Sequence, residues 1–211
     1  MPKATGSVLL VVDVQNDFCP GGSLAVARGD EVVRPLNRIA RRFRAARIPV
    51  VFSRDWHPAR TKHFEEFGGA WPPHCVQRTR GADFHPRLLV PRGATIMSKG
   101  MDPEIDAYSC FQATTEDGTP FPRWLADHGI RRLYIGGLAT DYCVLQTTLD
   151  ARRKRLEVVV LEDAIRAVDV SPGDGERATT GMRHARATFR RTTYVIGGLG
   201  RTSGRARRDS R

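Results

Sequence analysis

Short apolar runs along the chain alternate with longer segments in which apolar residues recur every three or four positions. Runs such as VLLVV and LEVVVL lack the alternation of a half-exposed strand and read as strands covered on both faces. On this pattern, strands are predicted at residues 7–14, 48–53, 95–98, 132–136, 157–162 and 193–196, and helices at 29–46, 122–128, 142–153 and 175–188. The first helix sets Val32, Val33, Leu36, Ile39, Ala40 and Phe43 on one stripe and Arg34, Arg38, Arg41 and Arg42 elsewhere, as a helix laid on a core requires. Strands alternating with helices imply an α/β fold of three layers, α/β/α, around a mostly parallel, six-stranded, Rossmann-like sheet.

Residues 56–91 break the pattern. They are rich in Gly, Pro, His and aromatics, and a loop of that length inside a compact domain points to function. Residues 1–198 read as one domain. Residues 199–211, rich in Arg, Ser and Gly without an apolar period, read as a basic tail expected to be disordered.

Composition narrows the class. A chain of 211 residues, 40% hydrophobic, suits a single domain. Its apolar runs fall short of the roughly 20 residues that a membrane span needs, and no charged-then-apolar leader is visible, so a cytosolic location is expected. The formal net charge of +11 raises nucleic acid as a partner. However, only four of the 34 basic residues are Lys, and the Arg excess is scattered over helix faces and the tail. A solvated surface explains that distribution, so no nucleic-acid partner is expected. Cys19, Cys75, Cys110 and Cys143 have no CxxC spacing, which argues against a disulfide framework and leaves each as a candidate thiol.

In open α/β sheets the binding crevice lies outside the carboxyl ends of the strands. Asp13 ends the first apolar run, Asp55 and His57 follow the second, Lys99 closes the third, and Cys143 follows the fourth at the start of a helix. A thiol there gains from the helix dipole and from free N–H groups, although a buried Cys packing as a small hydrophobe fits the position equally well. Asp13, in a mostly apolar strand, would have a raised pKa suited to accepting the thiol proton. Lys99 would hold thiolate and carboxylate together. Singly, the two also read as a helix cap and a surface Lys, but this chain uses Arg for nearly all its surface charge.

Asp55, His57, His63 and His74 offer mixed oxygen and nitrogen ligands that suit Zn²⁺, Fe²⁺ or Mn²⁺ better than Ca²⁺. A lone loop His is ordinarily a surface residue. Three in one loop beside a strand-end Asp leave the two readings balanced, whereas His85, His128 and His184 read as surface residues.

The stretches DVQNDFCPGGSLAV, SRDWHPARTKHF, WPPHCVQRTRGADFHP, KGMDPEIDAYSCF and GGLATDYCV, in that order, resemble the nicotinamidases, a branch of the isochorismatase-like cysteine hydrolases. The resemblance implies a triad of Asp13, Lys99 and Cys143, an oxyanion hole from the N–H groups of Ala139 and Cys143, and a cis peptide at 138–139. It implies one divalent transition metal on Asp55, His57 and His74, with His63 matching a ligand that only some members have. Phe18, Trp71, Tyr108 and Tyr142 match aromatic positions around a pyridine pocket. The implied activity is hydrolysis of nicotinamide to nicotinate and ammonia, with pyrazinamide as a plausible second substrate and a homodimer as a plausible assembly. Isochorismatase-type and N-carbamoyl amide hydrolases of the same fold are the nearest alternative; they do not need the metal. A thiol redox protein would be expected to need a resolving Cys near Cys143, and none has the spacing.

Overall fold

The apolar run of β1 (Ser7–Val12) is buried along its whole length, which is possible only for a central strand with both faces covered. In the computed structural model, which describes residues 6–205, β1 is joined by β2 (Val50–Asp55), β3 (Thr95–Lys99), β4 (Arg132–Leu138), β5 (Glu157–Arg166) and β6 (Thr188–Arg190). The helices are α1 (Val33–Ala45), α2 (Phe121–Asp127), α3 (Leu145–Arg153), α4 (Asp174–His184) and α5 (Thr192–Arg205). All the strand pairs are parallel, in the order β3-β2-β1-β4-β5-β6.

Alternation along β1 divides the core between two layers. Val8, Leu10 and Val12 pack in a cluster with Leu125 of α2, Ala151 of α3 and Met182 of α4. Leu9 and Val11 join Leu36, Ile39 and Phe43 of α1 and Val195 of α5 on the other face. This is the α/β/α sandwich expected from the sequence. The strand order reverses between β1 and β4, so a crevice opens at their carboxyl ends, where ligands bind in sheets of this type.

Gly137 brings β4 to that crevice. Its φ is +132°, and a Cβ there would lie 2.0 Å from the carbonyl oxygen of Val12. Gly137→Ala is therefore expected to destabilise the fold by at least about 3 kcal/mol, as read by chemical denaturation. Near-wild-type stability would show that β1 and β4 are not held this closely.

One predicted strand is corrected. Residues 193–196 lie within α5, and the sixth strand is Thr188–Arg190, so α4 also ends earlier than predicted, at His184. The β-branched run TTYVI favours a strand locally. Tertiary contacts override it: the Asp163 carboxylate accepts from both the Thr192 N–H (2.7 Å) and the Thr192 hydroxyl (2.7 Å), fixing the start of a helix. Val195 is then buried while Tyr194 is exposed, as one face of a helix on the α1 layer demands. Part of the expected tail, up to Arg205, belongs to α5, and residues 206–211 lie outside the described residues. Among the described residues no helix is long and apolar enough to cross a membrane, and all four cysteines are free.

Candidate active site

β1 stops where Asp13 adopts a left-handed backbone (φ 48°), and its carboxylate is fully buried. The Ser53 hydroxyl, from the interior of β2, donates to Asp13 Oδ1 at 2.7 Å. Lys99, the last residue of β3, pairs in register with Asp55. Its buried side chain reaches across the end of β2: Nζ lies 3.0 Å from Asp13 Oδ2 and 3.4 Å from Cys143 Sγ, and it is bonded to Asp55 Oδ1. Cys143 sits in a π-helical turn (Thr140–Val144) that leads into α3, itself a common feature of functional sites. A carboxylate oxygen of Asp13, one of Asp55 and the Cys143 sulfur all fall within 4.8 Å of one another. Four strand ends thus deliver the residues that the sequence placed there.

Burial is the dominant electrostatic influence. It lifts the Asp13 carboxyl above its ordinary value, with Lys99 opposing the rise and Asp55 adding to it. It pushes the Cys143 thiol well up, again against Lys99. The resting form is therefore the thiol, and an adjacent base is needed to take its proton. For Lys99, burial works against the ammonium, but Asp13 and Asp55 outweigh it and keep the group charged. For Asp55, burial is outweighed by Lys99 and the neighbouring imidazoles, and the carboxyl stays ionised.

Beside this cluster stand His57, His63 and His74, with a ring nitrogen from each within 4.8 Å of the others. Every Nδ1 is engaged: His57 with the Gly100 carbonyl (3.0 Å), His74 with the Pro72 carbonyl (2.8 Å), and His63 with the Asp106 carboxylate. With Nδ1–H as donor in each ring, a tautomer assigned from these partners, the Nε2 lone pairs remain free. His57 Nε2 is buried without a hydrogen-bond partner. Burial lowers the pKa of His63, and that of His74 to about 4, which keeps both imidazoles neutral. A partnerless buried nitrogen among converging neutral imidazoles fits a borderline divalent metal such as Zn²⁺, Fe²⁺ or Mn²⁺. Asp55 lies between the two groups, with Oδ2 3.9 Å from His57 Nε2 and Oδ1 held by Lys99.

A small cavity opens onto Cys143 and Ala139. Phe18, Trp71, Tyr108 and Tyr142 line it together with His63 and His74. Trp71 Nε1 donates to the Tyr108 hydroxyl at 2.8 Å, and the Trp71 and Tyr142 rings meet edge to face at 4.9 Å. The Leu138–Ala139 peptide is cis, and the Ala139 carbonyl accepts from the N–H groups of Tyr142 and Val144.

Residues 7–194 match the model of the isochorismatase domain. The chain belongs to that family. Within the isochorismatase domain family it is 40% identical over 197 residues to the nicotinamidase of Escherichia coli, covering 86% of this chain and 92% of that relative. It superposes with TM-score 0.81 on the pyrazinamidase of Pyrococcus horikoshii in complex with zinc, at 40% identity over 88% of this chain and 99% of the other. A protein from L. infantum solved in complex with nicotinate gives TM-score 0.79 at 33% identity, covering 90% and 96%.

Three polar residues that sequence reasoning passed over belong to this isochorismatase-domain site. Ser53 holds Asp13, as described; its signal was a hydroxyl inside an apolar strand. Gln15, fully buried, takes over as ladder partner where β1 turns away: Oε1 accepts from the Asp55 N–H (2.8 Å) and Nε2 donates to the Asp55 carbonyl (2.8 Å). Asp106 meets His63. Gln15 and Asp106 stand inside the resembling stretches, but nothing local distinguishes them from surface polar residues.

Proposed function

We propose that this chain is a metal-dependent cysteine amidohydrolase that converts nicotinamide to nicotinate and ammonia and also accepts pyrazinamide. The observation that carries the proposal is the Asp13, Lys99 and Cys143 cluster opening into a small aromatic cavity beside three convergent imidazoles. The relatives named above, one solved with zinc and one with nicotinate, support the substrate class and the metal.

Phe18, Trp71, Tyr108 and Tyr142 enclose the pyridine ring and place its carboxamide over Cys143. Asp13 accepts the thiol proton, and Cys143 Sγ attacks the amide carbon. The N–H groups of Ala139 and Cys143 stabilise the tetrahedral oxyanion. Ammonia leaves with the proton returned by Asp13, forming a thioester. Asp13 then takes a proton from water as its oxygen attacks the thioester, and returns that proton to the departing sulfur, which frees the thiol and nicotinic acid, ionised in water to nicotinate. Lys99 stays charged throughout and keeps Asp13 and Cys143 in register. Asp55, His57, His63 and His74 would hold the divalent ion, whose positive charge orients and activates the substrate and water.

Ammonia release should be fastest from nicotinamide and pyrazinamide in a panel that includes N-carbamoyl amides. A preference for N-carbamoyl amides would transfer the chain to that branch of the family. Chelation is expected to remove most of the activity, and Zn²⁺, Mn²⁺ or Fe²⁺ to restore it. Full activity in a sample shown by elemental analysis to be metal-free would remove the ion from the mechanism.

A further inference from the structure

Of the three imidazoles, His63 alone sets its Nδ1 against a carboxylate; the Nδ1 atoms of His57 and His74 meet backbone carbonyls. Asp106 lies in the loop that follows β3, and its side chain is 60% exposed while that of His63 is 5% exposed. Two sets of contacts hold the pair in place. The Pro103 carbonyl accepts from the Thr61 hydroxyl (3.1 Å) and the Lys62 N–H (2.9 Å), which clips the Asp106 loop onto the His63 loop. The Asp106 carbonyl accepts from Gln112 Nε2 (3.1 Å), which itself belongs to the capping box at Ser109. The other nearby carboxylate, Asp55, is already engaged by Lys99. Asp106 therefore adds negative charge to the imidazole cluster from outside, through one ring.

We infer that Asp106 is a positioning residue for a divalent metal: it fixes His63 with Nδ1–H donated outward and Nε2 turned to the ion, and it makes that imidazole a stronger donor. This inference rests on the metal reading above. A carboxylate behind a ligating imidazole orients the ring and raises its basicity, and removing such partners commonly lowers metal affinity about 10–100-fold. Because the loop is clipped by Pro103 and Gln112 independently of the Asp106 side chain, substitution there leaves the fold in place.

The test is zinc affinity of the metal-stripped full chain, measured by competition with a chromophoric chelator, for wild type, Asp106→Ala, Asp106→Asn and His63→Ala. Asp106→Ala is expected to bind zinc about 10–100-fold more weakly. Asp106→Asn should recover part of the loss, since its amide oxygen still accepts from Nδ1–H but carries no charge. On the His63→Ala background, Asp106→Ala should add nothing. Wild-type affinity in Asp106→Ala, or additive losses in the double variant, would overturn the inference while leaving the metal reading intact. Failure of the wild type to bind zinc would overturn both.

Discussion

Cys143→Ala is expected to lower nicotinamide hydrolysis by at least about 10⁴-fold, equivalent to roughly 5.4 kcal/mol of transition-state stabilisation, while the protein stays folded. The size of the effect follows from the chemistry. Without the sulfur no thioester forms, and the remaining groups would have to direct water at an unactivated amide. Lys99 and Asp13 pair directly at 3.0 Å, without the thiol as a link, so the buried charges are expected to keep their partners in the variant. Alanine also leaves only a small void at a position 5% exposed. The ammonia assay measures the first effect and thermal unfolding the second. Appreciable residual turnover in a folded variant would remove Cys143 from its role.

Lys99→Met is expected to damage activity and stability together. The Lys99 side chain is fully buried and is the cation that faces both Asp13 and Asp55, two carboxylates that themselves lie within 4.8 Å of each other. Removing one partner of a buried ion pair typically costs about 3–5 kcal/mol, because the remaining charge is left uncompensated. Here two carboxylates lose the same partner. The Asp13 carboxyl, already raised by burial and by Asp55, rises further once Lys99 no longer opposes them. A larger share of it is then protonated at any given pH, and less is free to accept the Cys143 proton. Urea denaturation and the ammonia assay should both report large losses, and a variant that is stable and active would show that Lys99 is not the link between the two carboxylates.

The centre of the sheet was legible because β1 is buried on both faces and appears as an unbroken apolar run; VLLVV could not sit at an exposed edge. Residues 193–196 misled for the opposite reason. Their β-branched content is a local preference, and the helix there depends on Asp163, about thirty residues upstream, which no local window can see. In the site, the residues on strand ends were readable from position: Asp13, Asp55, Lys99 and Cys143 each follow an apolar run. Position left Cys143 balanced between a reactive and a buried thiol, and the structure shows a buried thiol with the Lys99 ammonium 3.4 Å away and the Asp13 carboxylate beside it. The aromatic pocket was not readable from pattern at all. Phe18, Trp71, Tyr108 and Tyr142 come from separate stretches of the chain and are indistinguishable from core residues until folding brings them around one cavity. Gln15, Ser53 and Asp106 were missed because their work is to hold other residues, and a hydrogen bond across 40 positions leaves no trace in spacing.

Hydrolysis of nicotinamide is expected to pass through a thioester on Cys143. The most direct measurement is acid quenching of the metal-loaded protein during turnover of nicotinamide, with mass analysis of the peptide carrying Cys143, and a parallel reaction in hydroxylamine to intercept the acyl group. The expected result is a nicotinoyl group on Cys143 and a hydroxamate formed at the expense of nicotinate. Nicotinate formed at the full rate with neither the adduct nor the hydroxamate would contradict it.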